Sequence, residues 1–187
     1  MGDSYPTVKV AAVQAASVFL DRDGSTEKAC RLIREAGAKG ARVIAFPEGF
    51  IPAHPVWYHH HPATGAIANK LAVELFKNSL EIPGPETDAL GAAARDANAY
   101  VVIGVCEKMP QTIGTMFNTQ LYFGPDGTLI RKHQKIMPTV GERLVHMGGF
   151  GDTFGAFQTE FGPMSGLICG ENSNPLAVLD RKSTRLN

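Results

Sequence analysis

Three short segments each set a side chain fit for acid–base, electrostatic or nucleophilic work at the end of an apolar run. In Phe46-Pro47-Glu48-Gly49-Phe50, a carboxylate follows the run Val43–Phe46 and a proline that fixes the turn. The carboxyl edge of a strand is where α/β sheets place ligands; from local sequence alone, a solvated loop carboxylate is the alternative. In Arg131-Lys132-His133-Gln134-Lys135, continuing through Ile136-Met137-Pro138-Thr139 to Gly141-Glu142-Arg143-Leu144, cationic and titratable groups crowd one segment. Strand alternation puts Arg131, His133 and Lys135 on one face, and a charged edge that resists aggregation is the alternative there. In Ser165–Asn172, Cys169 ends an apolar run just ahead of Gly170 and of Pro175-Leu176-Ala177, a plausible helix start. Backbone amides at such a junction can hold a thiol as thiolate, whereas a buried small hydrophobe is the commoner fate of a lone cysteine. Taken together, the three segments offer a thiol nucleophile, a carboxylate to remove its proton and an ammonium to support the anion formed on attack.

The elements that would position these groups alternate in type. Val8–Gln14 reads as a mostly buried strand, and Ser25 or Thr26 as the cap of a helix whose stripe is Ala29, Leu32, Ile33 and Ala36. With Val43–Phe46 as the next strand, this is a βαβ unit of an α/β layer. Four prolines between Pro47 and Pro62 mark a long loop, and loops of that length in compact domains are usually functional. Helices are expected over 67–78 and, capped by Thr87, up to about Asn98, followed by a buried strand over 100–105. Gly124-Pro125-Asp126-Gly127 joins a hairpin of 118–123 with 128–133, and 156–161 and 164–169 are two further strands. About seven strands and three helices in this order predict one α/β domain with a mixed sheet.

The remaining composition excludes several classes. Of 187 residues, 44% are apolar and 19% charged, which rules out a disordered chain and a coiled coil. Eighteen lysines and arginines balance eighteen aspartates and glutamates, so no basic excess points to nucleic acid. The apolar runs are far too short to span a bilayer, and no signal-peptide pattern opens the chain, so a soluble cytoplasmic domain is expected. Cys30, Cys106 and Cys169 are odd in number and widely spaced, which suggests neither disulfides nor a thiol-based zinc site. Neighbouring histidines His59-His60-His61 point in alternating directions with no ligand at metal spacing, so no metal is expected.

Phe46-Pro47-Glu48, the Lys132–Thr139 segment with Glu142-Arg143-Leu144-Val145, and Gly166-Leu167-Ile168-Cys169-Gly170-Glu171-Asn172 resemble, in order, the three signature blocks of the nitrilase branch of the carbon–nitrogen hydrolase superfamily. The resemblance runs from Val8 to about Leu179 and outweighs the local alternatives for Glu48, Lys135 and Cys169. It implies an α/β fold, the α-β-β-α sandwich of that superfamily with mixed sheets. It also implies Cys169 as nucleophile, Glu48 as general base, Lys135 as the stabilising cation and Glu142 as a second glutamate that positions substrate and assists proton transfer. The implied reaction turns an organic nitrile into a carboxylic acid and ammonia through a cysteine thioimidate and acyl intermediate, with no metal or organic cofactor. An amidase or carbamoylase with the same Glu-Lys-Cys set is the alternative, and a non-catalytic binding or assembly fragment is a third.

Met137-Pro138-Thr139 and a glutamate two after the cysteine look like nitrilases; Gly170, where many of them carry tryptophan, departs from the pattern. The loop Ile51–Tyr58 is expected to line the substrate pocket, with His54, Trp57 and Tyr58 beside Gly170 and Glu171 as substrate-binding residues. Trp57 and Tyr58 suit an aromatic or bulky nitrile. The resemblance further implies a small-molecule nitrile as the partner and a homo-oligomer for the full-length form. Family members continue well past the cysteine, so residues 1–180 read as a partial hydrolase domain, incomplete at the C-terminus, and 181–187 as a tail unlike the family.

Overall fold

The structure, a computed structural model, describes residues 6–183; the opening pentapeptide and the last four residues of the expected tail lie outside the described residues. Five strands form one mixed sheet in sequence order: β1 (Val10–Ala12), β2 (Val43–Ala45), β3 (Tyr100–Lys108), β4 (Met116–Phe123) and β5 (Leu129–Gln134). The first three are parallel, as βαβ connections require, and the last two are antiparallel, as the hairpin at Gly124–Gly127 requires. A two-stranded ribbon, β6 (Phe157–Thr159) with β7 (Gly162–Met164), forms a second small sheet. The helices are α1 (Arg22–Ala38), α2 (Ala66–Asn78), α3 (Pro85–Ala97) and α4 (Pro175–Ser183).

Strand alternation divides the sheet into two faces with different work. Val101, Ile103, Val105, Leu121 and Phe123 point to one side and pack with Ala29 and Ile33 of α1 and Leu90, Ala93 and Ala94 of α3, all buried. Pairing across β3 and β4 puts Cys106 opposite Asn118, Gly104 opposite Gln120 and Val102 opposite Tyr122, and β5 adds His133 opposite Gln120. This second face is polar toward its β4–β5 end, and the Tyr122 ring there meets Phe157 of the ribbon edge-on, 5.4 Å between centroids. A smaller apolar cluster of Trp57, Ala68, Leu75, Cys106 and Met116 seats α2 beside the ends of β3 and β4.

Several elements differ from the sequence expectation. Strand β1 is not buried: it is an edge strand paired only with β2, and Val10 is exposed. Helix α1 starts four residues earlier than expected because Asp21 is its cap, accepting from Gly24 N–H at 2.9 Å. Ser25 instead donates to Val18 C=O and accepts from Val18 N–H, pinning the turn before the helix. Thr87 caps from inside α3: its hydroxyl accepts from Gly84 N–H, so Gly84 holds the cap position. The strand expected over 164–169 stops at Met164, and Ile168 N–H goes to the Glu171 carboxylate instead of to a neighbouring strand. Helix α4 is a fourth helix and begins at Pro175.

Candidate active site

Glu48 is presented by a turn that the sheet itself holds. Phe46 N–H continues the β2–β3 ladder to Val102 C=O, Phe50 N–H reaches Gly104 C=O at 2.7 Å, and Gly49 turns the chain at φ +59°. Gly104 lets this turn lie directly on β3. A Cβ there would stand 2.6–2.7 Å from Pro47 O, Glu48 Cα and Gly49 N.

Lys135 lies one residue beyond β5, yet its N–H extends the ladder to Asn118 C=O at 2.8 Å. Its ammonium, 1% exposed, donates to Glu48 Oε1 and to Glu142 Oε2, both at 2.7 Å. Glu142 is 2% exposed and sits in a 3-10 helix over Val140–Leu144, where it also accepts the Thr139 N–H at 2.8 Å. One residue that the sequence reading missed ties the pair together. Asn118 Nδ2 spends both hydrogens on carboxylates, Glu48 Oε1 and Glu142 Oε1, each at 2.6 Å. His146 Nδ1 adds a contact to Glu142 Oε1 at 3.2 Å.

These contacts set the charges. Burial pushes the Glu142 carboxyl up, but hydrogen bonds from His146, Lys135, Thr139 and Asn118 more than offset it and hold the group far below the usual carboxylate range. Burial disfavours the Lys135 ammonium, and its two carboxylate partners overcome that and raise its pKa. The centre therefore holds two carboxylates against one cation, with Glu48 side chain 25% exposed and Glu142 closed off.

Cys169 opens a 3-10 helix over Cys169–Ser173 with φ +49°, the left-handed region that a β-carbon disfavours. Asn172 Nδ2 donates to Leu167 C=O and Cys169 C=O, both at 3.1 Å, and holds the turn closed. The exposed Cys169 lines a cavity of about 180 Å³ with Glu48, Asn118, Gln120, Gly104, Phe46, Leu167 and Ile168. Among the described residues, Glu48 Oε2 takes no hydrogen bond from the protein, so the oxygen opposite the one held by Lys135 and Asn118 is uncommitted.

The other expected site residues are placed variously. Gly170 and Glu171 line a larger groove of about 650 Å³ with Met137, Val140, Phe154 and Leu176. The Glu171 carboxylate is nonetheless fully engaged, with Ile136 N–H, Ile168 N–H and His133 Nε2. Trp57 is buried in the α2 cluster and meets Phe19 edge-on, lining neither cavity. Tyr58 packs its ring over Gly141, and His54 leans on Gly49 behind Glu48. Tyr58 Oη and His54 Nδ1 are buried without a protein partner. His59 and His60 are exposed, and among the described residues no group of three or more His, Cys, Asp or Glu could hold a metal ion. Likewise, no described helix is long and apolar enough to cross a membrane.

The profile described as "Carbon-nitrogen hydrolase" matches residues 9–185, and the chain belongs to that family. It is 43% identical over 175 residues to a nitrilase of Bacillus sp. (strain OxB-1), covering 94% of this chain and 50% of that protein. It is 42% identical to an aliphatic nitrilase of Sinorhizobium fredii (strain HH103), covering 90% of this chain and 54% of the relative. The chain thus spans about half the length of the curated relatives it matches. Among solved structures it resembles Saccharomyces cerevisiae Nit3, a member of branch 10 of the nitrilase superfamily, with a TM-score of 0.71 at 22% identity, covering 92% of this chain and 59% of that one. The fold is the α/β fold of that superfamily.

Proposed function

We propose that the chain carries the catalytic residues of a thiol hydrolase that converts an organic nitrile to a carboxylic acid and ammonia. The observation that carries the reading is the asymmetry of Glu48: Oε1 is fixed by Lys135 and Asn118, Oε2 takes no hydrogen bond from the described residues, and the residue lines the same cavity as Cys169. The similarity to proteins named nitrilases supports the choice of substrate class.

In this reading Glu48 Oε2 takes the Cys169 proton, and the thiolate adds to the nitrile carbon. One π pair moves to nitrogen, which takes the proton back from Glu48 to give a thioimidate. Water adds to that carbon, the C–N bond breaks and ammonia leaves with the protons supplied through Glu48. A second water cleaves the acyl thioester, releasing the acid and the thiol. Lys135 has three N–H donors and spends two on the glutamates, which leaves one for charge that develops on the reacting nitrogen or oxygen. Glu142 keeps the ammonium charged and in place. The groove beyond Gly170, lined by Met137, Val140, Phe154 and Leu176, takes the substrate's organic group and suits a bulky apolar one.

The test is ammonia release from an arylaliphatic nitrile and from its matched amide, run with Cys169→Ala and Glu48→Gln variants. Turnover of the nitrile that both substitutions abolish is the expected result. Turnover of the amide alone would assign the chain to the amidase reading, and turnover that survives Cys169→Ala would exclude a thiol mechanism.

A further inference from the structure

Resting on the hydrolase reading above, we propose that Glu171 and His133 form a positioning pair that fixes the Cys169 turn against the strand end carrying Lys135. The resemblance makes Glu171 a candidate substrate contact, but its oxygens are spent inside the protein. Oε2 accepts from Ile168 N–H at 2.8 Å and faces His133 Nε2 at 2.9 Å, and Oε1 accepts from Ile136 N–H at 2.8 Å. Ile168 is the residue before the nucleophile, and Ile136 is the residue after the catalytic lysine. One buried carboxylate therefore joins the backbone on which the thiol sits to the backbone on which the ammonium sits.

His133 is itself held on three sides. Its ring stacks on Phe154 at 5.0 Å, Nδ1 meets Thr153 Oγ1 at 2.8 Å, and Thr153 Oγ1 donates to Phe150 C=O. A carboxylate only accepts, so the imidazole nitrogen facing Glu171 carries a hydrogen. Arg131, two residues earlier on the same strand face, donates to Phe154 C=O at 2.7 Å and keeps that stacking partner in place. Arg131 and His133, which share a strand face with Lys135 in the sequence pattern, thus both hold the scaffold under the nucleophile. The Cys169 turn needs such a hold because its φ of +49° is not one a cysteine adopts unaided. The Glu171 carboxyl lies below its ordinary range: burial raises it, and the hydrogen bonds from His133, Ile136 and Ile168 outweigh that effect.

Two readouts separate positioning from substrate contact and from general stability. The first is the second-order rate of Cys169 alkylation by iodoacetamide, followed by peptide mass so that buried Cys30 and Cys106 do not interfere. The second is kcat and KM on the nitrile. In folded Glu171→Gln and His133→Phe proteins, alkylation and kcat are expected to fall about tenfold or more with KM within twofold, since small displacements of reacting groups cost that much. His133→Gln, which keeps an N–H for the carboxylate, should recover most of the loss. Wild-type alkylation rates in both folded variants would overturn the proposal, as would a raised KM at unchanged kcat. If Glu171→Gln does not fold, the contrast between His133→Phe and His133→Gln decides. A wild-type chain inert toward nitriles would sink the hydrolase reading, while the alkylation contrast would still decide the pair.

Discussion

Lys135 donates its backbone N–H to the carbonyl of Asn118 at 2.8 Å, and the two side chains then converge on a single atom, Glu48 Oε1. This ladder bond makes the spacing of the ammonium and the amide a property of the β4–β5 pairing. Asn118→Asp replaces two N–H donors by acceptors that face two carboxylates balanced by one cation. The expected result is a loss of about 3 kcal/mol or more in stability and at least a hundredfold in kcat. Thermal unfolding and ammonia release measure the two effects, and a melting temperature within a degree of wild type would contradict the role given to Asn118.

Removing the cation itself should be costlier. Lys135→Met leaves two facing carboxylates, one fully buried, without their counter-charge, an arrangement that typically costs about 3–5 kcal/mol. The pH dependence follows from the shifts. Glu142 is depressed in the folded state, so its stabilisation is complete above its ordinary value of 4.5 and is lost as pH falls. The raised Lys135 contributes fully below 10.5 and loses its contribution as pH climbs past that value. In Lys135→Met the Glu142 carboxyl is less depressed, so the variant starts from a lower stability at neutral pH but should lose less of it on acidification than wild type. Melting temperatures between pH 3 and 8 provide the check.

The sequence reveals the groups that do chemistry and hides most of what aims them. Glu48, Lys135 and Cys169 are legible because each is a reactive residue ending an apolar run in a block of recognisable order. Asn118 and His133 are not, because an asparagine and a histidine inside strands acquire meaning only through residues 24–70 positions away. The hairpin at Gly124–Gly127 is legible because its turn residues are local. The cap of α1 is misread because Asp21, Ser25 and Thr26 are all good caps, and only the Val18 turn decides among them. Trp57 looks like a pocket residue by its place in a long loop, but the loop folds back under α2 and buries it.

His54 offers a second pH test. Burial lowers its pKa, against the pull of the facing Glu48 and Glu142 and with the push of His146 and Lys135. Below its ordinary value of 6.5, the unfolded chain takes up a proton that the folded chain refuses, so stability falls with acid at up to about 1.4 kcal/mol per pH unit. His54→Asn cannot titrate, and its melting temperature should fall less steeply than that of wild type between pH 6.5 and 5. Parallel slopes would assign the acid sensitivity elsewhere.

Gly104→Ala tests whether the Glu48 turn tolerates any displacement. The new Cβ would meet only backbone, Pro47 O, Glu48 Cα and Gly49 N within 2.7 Å, and no flexible side-chain end is present to give way. The turn cannot retreat freely either, because Phe50 and Ile51 donate their N–H groups to Gly104 C=O. The substitution should cost about 1–3 kcal/mol and lower kcat roughly a hundredfold with little change in KM, since it moves the base and leaves the groove alone. Gly170→Ala is the control: its Cβ would find nothing nearer than Thr139 Oγ1 at 3.8 Å, so stability should hold within about 0.5 kcal/mol. Wild-type kcat in Gly104→Ala would mean that proton removal from Cys169 does not depend on where this turn holds Glu48, and the base would then have to be sought among the other groups of the cavity.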